Sequence, residues 1–488
     1  MGHRAARGGA VTLTAQLCKF LLSTAATIVL ARLLTPEDYG LIGMVAILVS
    51  FLMMFQYMGL STATIKWAHL DQQLVSELFW INIALSTTIA ILTIGSAPLL
   101  VWFYHEPRLL AVTIGFALTI FLTGLGIQHE ALLSRQMRFA TLAAIDITSM
   151  LLGLIAALSS AWFGAGYWAL VINQMVLSLV RVSGVWIVCR WRPDLPTLKL
   201  RSREMISYGG NLTGFNLANY FALNLDNALI GKFWGAQQLG LYAKAYQLLL
   251  LPLEQINGPL GTVAIPALSR LADSPDRYRA AYLKILQKIA MLTMPFVAFM
   301  IVTSDWLVLL LLGAQWQRTG RIFMFLGMAA LIQPVTKTCW WLFISQGRSS
   351  EMLRTGILSS GISVACIIGG LPWGAIGVAA AYAASELCFV TPIVFWSVSR
   401  RGPVRFGDFF KTIAPGACAS LCTLSVLIIS RPWLQSFHLA WRLVLAFATT
   451  AIVSAGVLAA LPTGRAAMQS SKEMFLLLIR GRRDAILP

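Results

Sequence analysis

The sequence predicts an all-α polytopic membrane protein with about 14 transmembrane helices. Three observations support this prediction: an apolar composition, a series of long apolar segments joined by short basic loops, and a segment that recurs 200 residues further along the chain. Together they predict two six-helix lobes related by a parallel repeat, followed by two C-terminal helices.

The composition is that of an integral membrane protein. Of the 488 residues 58% are hydrophobic and only 11% are charged, whereas a soluble domain has roughly 25% charged residues. The mean hydropathy is +0.75. The net charge of +18 comes from Lys and Arg in short loops, where such residues set membrane orientation. No solvated basic domain is present in this pattern, so we expect no nucleic-acid partner, and membrane lipids are the expected surroundings.

The repeat consists of Ala31–Leu41, ARLLTPEDYGL, and Gly231–Leu241, GKFWGAQQLGL. Each copy has a basic residue, two large apolar residues, a short polar loop and a Gly-Leu pair that opens a long apolar run. Arg32 corresponds to Lys232, and Gly40 corresponds to Gly240. Because the two basic residues then lie at matching outer ends, Arg32 and Lys232 are predicted to form a gate.

Apolar segments long enough to cross a bilayer, about 20 residues each, define the predicted spans. They lie near residues 10–33, 40–64, 78–103, 109–132, 142–163, 166–189, 205–230, 239–266, 284–304, 320–344, 351–371, 374–397, 408–430 and 439–461.

These spans predict an N-terminal lobe at 1–190, a cytoplasmic linker at 191–203 and a C-terminal lobe at 204–398. Helices 13 and 14 follow at 399–462, and a basic cytoplasmic tail at 463–488. With the N-terminus inside, about 25 of the 37 Lys and Arg fall on the cytoplasmic side and about 7 outside. This bias predicts a multi-pass membrane protein with both termini in the cytoplasm.

Charges inside the spans are the candidate functional residues, because a charge in the bilayer core costs at least about 2.5 kcal/mol unless it faces water or a partner. Lys19 lies on a polar stripe with Gln16 in the first helix, and Asn216 and Asn219 lie on a stripe in the first helix of the second half. The stripes either face a shared cavity or hold helices together by hydrogen bonds. Lys244, flanked by tyrosines, and Lys337, in a helix that Pro334 can kink, are two further basic candidates for substrate binding.

Acidic groups inside the spans are candidates for coupling to an ion: Asp146, Asp226 and Glu254. Each could equally be a buried partner of a nearby Lys or Arg. Arg181, Lys288 and Glu386 lie close to helix ends or in peripheral helices, so structural pairing is the interpretation for them.

Neither a cofactor nor an enzymatic activity is predicted. The seven cysteines show no CxxC or other metal-ligand spacing and fall within or at the ends of apolar segments. HExxH, GxSxG and P-loop motifs are absent from the sequence. The expected class is therefore a transporter rather than an enzyme.

ARLLTPEDYGLIGMV, the following MGLSTATIKW and LGLYAKAYQLLLLP resemble the polysaccharide transporter family of Wzx-type flippases, within the multidrug, oligosaccharidyl-lipid and polysaccharide exporter superfamily. The resemblance implies two lobes around a central cavity and alternating access. It implies translocation of undecaprenyl-pyrophosphate-linked oligosaccharides across the inner membrane for exopolysaccharide or O-antigen synthesis. The motifs are most similar to those of the branch associated with colanic acid, succinoglycan or xanthan. Polysaccharide polymerase and chain-length proteins are the partners that it implies.

Two alternatives remain open within the same superfamily. A drug or cation antiporter would need an acidic cavity, whereas the candidates here are more basic than acidic. Lipid II flippases are thought to use a cluster of arginines in the first lobe, and the first half here has only Lys19 and Arg181 within its spans.

Overall fold

A computed structural model describes the backbone of residues 2–56, 64, 71–195, 203–465 and 469, and the side chains of 14–56, 64, 71–195, 220, 224–255, 257–465 and 469. The side chains of Asn216 and Asn219 lie outside these ranges. So do the end of the second predicted span and most of the predicted basic tail.

The described chain is built from helices, without a strand in the ranges above. They are α1 Gly2–Leu33, α2 Pro36–Gln56, α3 Gln72–Tyr104, α4 Leu109–Arg135, α5 Phe139–Trp162, α6 Trp168–Val188, α7 Arg203–Ser269, α8 Pro275–Val302, α9 Ser304–Leu311, α10 Thr319–Ala330, α11 Gln333–Ser345, α12 Ser349–Gly370, α13 Gly374–Ser385, α14 Thr391–Ser399, α15 Phe406–Leu434 and α16 Leu439–Ala460. A π-helical turn, Glu386–Val390, joins α13 to α14.

The all-α membrane fold predicted from the sequence is confirmed, but the count of 14 spans is not. Ten helices in the described residues are long and apolar enough to cross a membrane, or up to twelve if each bent pair is one span. Residues 349–399 count as a single 51-residue segment, although the sequence divides them into two spans. Gly374, with φ of 71°, is the point at which the backbone turns inside this segment.

Two compact units make up the chain, Met1–Gly240 and Leu241–Pro488. The boundary falls inside α7, five residues after the backbone leaves the helical region at Gly235, where φ is 76°. Only glycine adopts this conformation readily. The lobe boundaries predicted from the sequence, at 190 and 204, stay a prediction.

In the first unit α1, α5 and α6 share a small core of Leu30, Leu34, Ala157, Ala169 and Leu170. α4 packs against α3 and α6. Many apolar side chains on these helices are exposed, such as Ile91 at 63% and Trp102 at 71%, as expected where lipid is the solvent. Charged groups on the same helices therefore stand out.

In the second unit a hydrophobic core joins α8, α11, α14 and α15, and includes Tyr282, Phe343, Phe395 and Phe409. Pro334 at the start of α11 was predicted to kink its helix, and α10 and α11 are indeed bent by 42° at the break between them. α7 also bends by 42°, between Gln255 and Asn257, in the stretch where the sequence places Pro252, Pro259 and Pro266.

Candidate functional site

The candidate site is a layer of four charged side chains in the first unit, one from each of α1, α4, α5 and α6. The Lys19 ammonium donates to the Oδ2 atom of Asp146. Arg181 Nε lies 3.3 Å from Asp146 Oδ1 and 2.8 Å from Glu130 Oε1. Arg181 Nη2 donates to Glu130 Oε2 at 3.0 Å. Asp146 thus links the two cations, and Arg181 holds Glu130 by two parallel hydrogen bonds, the strongest guanidinium–carboxylate geometry.

All four residues lie at a similar depth. Asp146 comes seven residues after the start of α5 at Phe139, and Lys19 lies level with it because the two side chains are in contact. Glu130 and Arg181 come five and seven residues before the ends of α4 and α6. At 1.5 Å per residue these positions are about 8–11 Å inside one end of the helices. The alternation of helix directions therefore brings two cations and two anions to one level of the bundle.

Partial exposure distinguishes this layer from a sealed structural ion pair. The side chains of Lys19, Glu130, Asp146 and Arg181 are 33%, 28%, 21% and 39% exposed. Charged surface of this kind is not stable against hydrocarbon, so it faces water or a polar ligand. The two positive and two negative charges balance, and both cations remain accessible to an anion.

The sequence identified three of the four residues and missed Glu130. Lys19 was predicted to bind substrate and Asp146 to couple an ion, and these two form an ion pair. The structural pairing expected for Arg181 is present. Glu130 was overlooked because it lies two residues before residue 132, the predicted end of its span. Gly126 and Ile127 lie one helical turn before Glu130, and this spacing could have placed Glu130 inside the helix.

An open polar cavity of about 540 Å³ lies at the same end of the helices as the charge layer. Gln136 and Arg138 line it from the α4–α5 connection, and Ile187–Trp191, including Arg190, line it from the end of α6. Both arginines are exposed. The cavity therefore presents two further positive charges where an anionic group at the membrane surface would arrive.

The repeated segment forms a reciprocal contact within the first unit. A side chain on Gly40 would overlap the carbonyl of Ala236, and a side chain on Gly240 would overlap the carbonyl of Pro36. Positions 36 and 236, like 40 and 240, are 200 residues apart. A contact in which each copy offers the same two positions to the other has the form of a two-fold interface. This geometry agrees with the repeat predicted from the sequence.

The α3–α4 connection binds both copies of the repeat. Lys232 donates to the carbonyl of Phe103, lies 4.9 Å from the centre of the Phe103 ring and has His105 Nδ1 at 3.3 Å. Arg108 Nη2 lies 2.5 Å from Glu37 Oε1 in the first copy. Arg108 also hydrogen-bonds Glu106, and this contact lowers the pKa of the Glu106 carboxyl. Arg32, the other predicted gate residue, is exposed.

Of the candidates in the second unit, Lys244 is 7% exposed, and its ammonium donates to Gln247 Oε1 at 2.9 Å. Tyr242 and Tyr246 stack with centroids 6.4 Å apart. Lys337 is exposed and attracts the Glu386 carboxylate. Glu254 is exposed on α7. In the first unit Gln16 is exposed. The Asp226 carboxylate accepts a hydrogen bond from the backbone N–H of Asn227 at 2.7 Å.

Long apolar helices with charged side chains inside them identify a multi-pass membrane protein. Residues 29–320 match the family described as "Polysaccharide biosynthesis protein", and the chain belongs to that family. The resemblance to polysaccharide transporters stated from the sequence motifs is confirmed.

Three curated relatives show the range of this family. The chain is 25% identical to the teichuronic acid biosynthesis protein TuaB of Bacillus subtilis over 60% of this chain and 61% of that protein. It is 25% identical to the succinoglycan biosynthesis transport protein ExoT of Rhizobium meliloti, over 64% and 62%. The lipopolysaccharide biosynthesis protein WzxC of Escherichia coli is 22% identical over 72% of each chain. The chain spans about three fifths of the length of the first two.

Solved structures show the same fold. The lipid II flippase MurJ in an inward closed conformation superposes with a TM-score of 0.68 at 14% identity, covering 91% of this chain and 98% of that chain. An inward-facing MATE family transporter of the MOP superfamily gives a TM-score of 0.61 at 16% identity, covering 82% and 99%. At these identities the likeness shows the fold alone.

Proposed function

We propose that the chain is a flippase that moves undecaprenyl-pyrophosphate-linked oligosaccharide repeat units from the inner to the outer leaflet of the bacterial inner membrane. The product would be an exopolysaccharide or O-antigen. The observation that carries the proposal is the accessible Lys19–Arg181 pair inside the spans. A diphosphate has about two negative charges that hydrocarbon does not accept, and an ammonium beside a guanidinium compensates both. Family membership and the names of TuaB, ExoT and WzxC support the same substrate class.

The route to the site begins at the cytoplasmic surface, where Arg138 and Arg190 line an open cavity. Placing this end in the cytoplasm rests on the loop-charge bias and puts both termini there. We also assign Lys244 and Lys337 to substrate binding, together with the polar groups Gln16, Asn216 and Asn219. A driving ion would act through Asp146, Asp226 or Glu254. Polymerase and chain-length proteins would receive the product.

We assign Arg32, Lys232 and the α3–α4 connection to the periplasmic gate. The reciprocal glycine contact supports this assignment, because the two backbones touch there. They would have to separate before a substrate could pass between them. Alternating access then consists of opening this contact after the cytoplasmic entrance has closed.

Deletion of the gene in its host tests the proposal. We expect loss of surface polysaccharide together with accumulation of lipid-linked repeat units, and restoration of both by the wild-type gene. Unchanged polysaccharide combined with new sensitivity to cationic drugs would contradict the proposal and favour the antiporter. Unchanged polysaccharide combined with loss of peptidoglycan synthesis would favour a lipid II flippase.

A further inference from the structure

The charge layer has a feature that binding of an anion alone does not require: the two cations are already matched by two carboxylates. Glu130 presents both oxygens to the Arg181 fork, at 2.8 and 3.0 Å. Asp146 presents one oxygen to Lys19 and the other to Arg181. Bidentate and bridging contacts of this kind are those that phosphate oxygens make with Lys and Arg.

We propose that Glu130 and Asp146 are internal substitutes for the diphosphate, occupying the anion-binding positions of Lys19 and Arg181 in the empty carrier and being displaced when the substrate binds. This inference rests on the proposed function and names the ligand at this site as a diphosphate group. It also assigns Glu130, which the sequence missed, a role in substrate exchange.

Exposure of the carboxylates makes the exchange physically feasible. A fully buried carboxylate that loses its cation is left uncompensated, at a cost of several kcal/mol. Glu130 and Asp146 are 28% and 21% exposed, so water can hydrate them when the diphosphate takes their place. Partial hydration lowers the net strength of each ion pair, so a doubly charged ligand can compete with the carboxylates for Lys19 and Arg181.

The substitutes also account for the return of the empty carrier. Two unmatched cations in a membrane-spanning bundle would oppose any conformation that excludes water. With Glu130 and Asp146 in place the layer is neutral, so the protein changes conformation without a substrate. With diphosphate in place the two cations are again matched. Each cation is thus matched by an anion in both directions of the cycle, and water hydrates the displaced carboxylates while the diphosphate is bound.

Binding of farnesyl diphosphate to the purified full-length protein in nanodiscs, measured by isothermal titration calorimetry, tests the exchange. We expect the Glu130→Gln/Asp146→Asn variant to bind about tenfold more tightly than wild type, because the competing carboxylates are gone. In cells the same variant should export polymer more slowly, because its empty form has two unmatched cations. Lys19→Gln/Arg181→Gln should bind at least about tenfold more weakly. Glu351→Gln, which removes an arginine-paired carboxylate in the first turn of α12, is the matched control and should bind as wild type does.

Glu130→Gln alone is the second variant, and in it Asp146 still holds both Lys19 and Arg181. This variant should bind farnesyl diphosphate several-fold more tightly than wild type does. Folded acid variants with unchanged or weaker affinity would overturn the exchange, as would failure of both acid variants to fold. Inorganic pyrophosphate identifies the source of the ligand. Tightening with both ligands assigns recognition to the diphosphate itself, and tightening with farnesyl diphosphate alone assigns it to a lipid head group. Wild-type protein that binds neither ligand would instead refute the proposed function.

Discussion

At the scale of single residues, Lys19 allows the sharpest test. Lys19→Ala leaves Asp146 in contact with Arg181 at 3.3 Å, so no buried acid is left without a cation. We expect normal membrane abundance with export of the polymer abolished, and partial export for Lys19→Arg, which keeps the charge but changes its geometry. Polymer export and immunoblotted membrane fractions measure the two quantities. Lys411→Ala, which removes an exposed lysine of α15, is the control.

Two outcomes would contradict this role of Lys19. Full export by Lys19→Ala would remove the residue from the substrate path. Poor insertion of Lys19→Ala, restored by neutralising Asp146 as well, would show that the pair only holds α1 against α5.

The Glu106 carboxyl group, which lies outside the spans, predicts that the stability of the fold depends on pH. Arg108 lowers the pKa of this carboxyl below its ordinary value of 4.5, so the ion pair stabilises the fold at any pH above about 4.5 and is lost as the pH falls through the lowered pKa. Both side chains are partly exposed, so the effect is at most about 1 kcal/mol. Thermal unfolding of Glu106→Gln should show a small loss of stability at pH 7 that shrinks towards pH 3. A difference from wild type that is independent of pH would contradict the assignment.

Sequence reasoning could identify charged residues within the spans but not their partners. Lys19 and Asp146 stand out as charges inside apolar segments, and their roles were predicted from that alone. Which acid meets Lys19 depends on the rotation and direction of α1 against α5, 127 residues away, and no local pattern encodes that. Glu130 was lost for another reason, because an error of a few residues at a span end moves a charge from the membrane to a loop.

At the scale of helices and their connections, the reciprocal glycine contact predicts a matched pair of phenotypes. A methyl group at Gly40 would overlap the Ala236 carbonyl, and one at Gly240 would overlap the Pro36 carbonyl. Backbone atoms cannot move aside as side chains can, so each Ala variant should destabilise the closed contact by about 1–3 kcal/mol. We expect Gly40→Ala and Gly240→Ala to impair export similarly. Gly95→Ala on α3, where nothing lies within 4 Å of the added methyl, should export normally.

Cysteine labelling reports where this contact lies and whether it opens. Thr35→Cys and Gln237→Cys place thiols at exposed positions of the two copies; Gln237 is preferable to Gly235, whose positive φ disfavours cysteine. Impermeant maleimide should label both from the periplasm. Gly40→Ala should increase the labelling, because it holds the contact open. Labelling from the cytoplasm alone would show that the repeated segments are on the other side.

Helix positions were largely predictable because apolar length determines them, and the kink near Pro334 followed from one residue. The breaks were harder to predict. Gly235 lies within the repeat loop, and Gly374 follows a short dip in hydropathy. At each position the backbone leaves the helical conformation and the α-helix continues directly afterwards. Hydropathy therefore does not settle whether such a break separates two spans or bends one, and the predicted count of 14 was not confirmed.

At the scale of the whole molecule, the loop-charge bias predicts orientation. Reporter fusions after Arg138 and after Arg465 should both report the cytoplasm, as should a fusion between residues 191 and 203. Each of these three positions lies in or next to a segment with several basic residues, and such segments favour the cytoplasmic side of the membrane. A periplasmic signal from the central fusion would contradict both the span count of the first half and the parallel repeat.

Family and fold could be recognised from motifs and repeat, because both are carried by contiguous sequence. The particular sugar is not encoded in that way, since it depends on surfaces assembled from many helices. Under the proposed function, the charge layer would bind only the part of the substrate that such lipids share, the diphosphate.

Flipping by the purified protein in proteoliposomes is the most direct measurement of the proposed activity. A fluorescent polyprenyl-diphosphate oligosaccharide is placed in both leaflets, and its accessibility to an impermeant quencher is followed over time. We predict that wild-type protein makes the inner-leaflet pool accessible, that Lys19→Gln/Arg181→Gln does not, and that an organic cation is not transported by either. Equal rates with wild-type protein, the double variant and empty liposomes would contradict the proposed flippase.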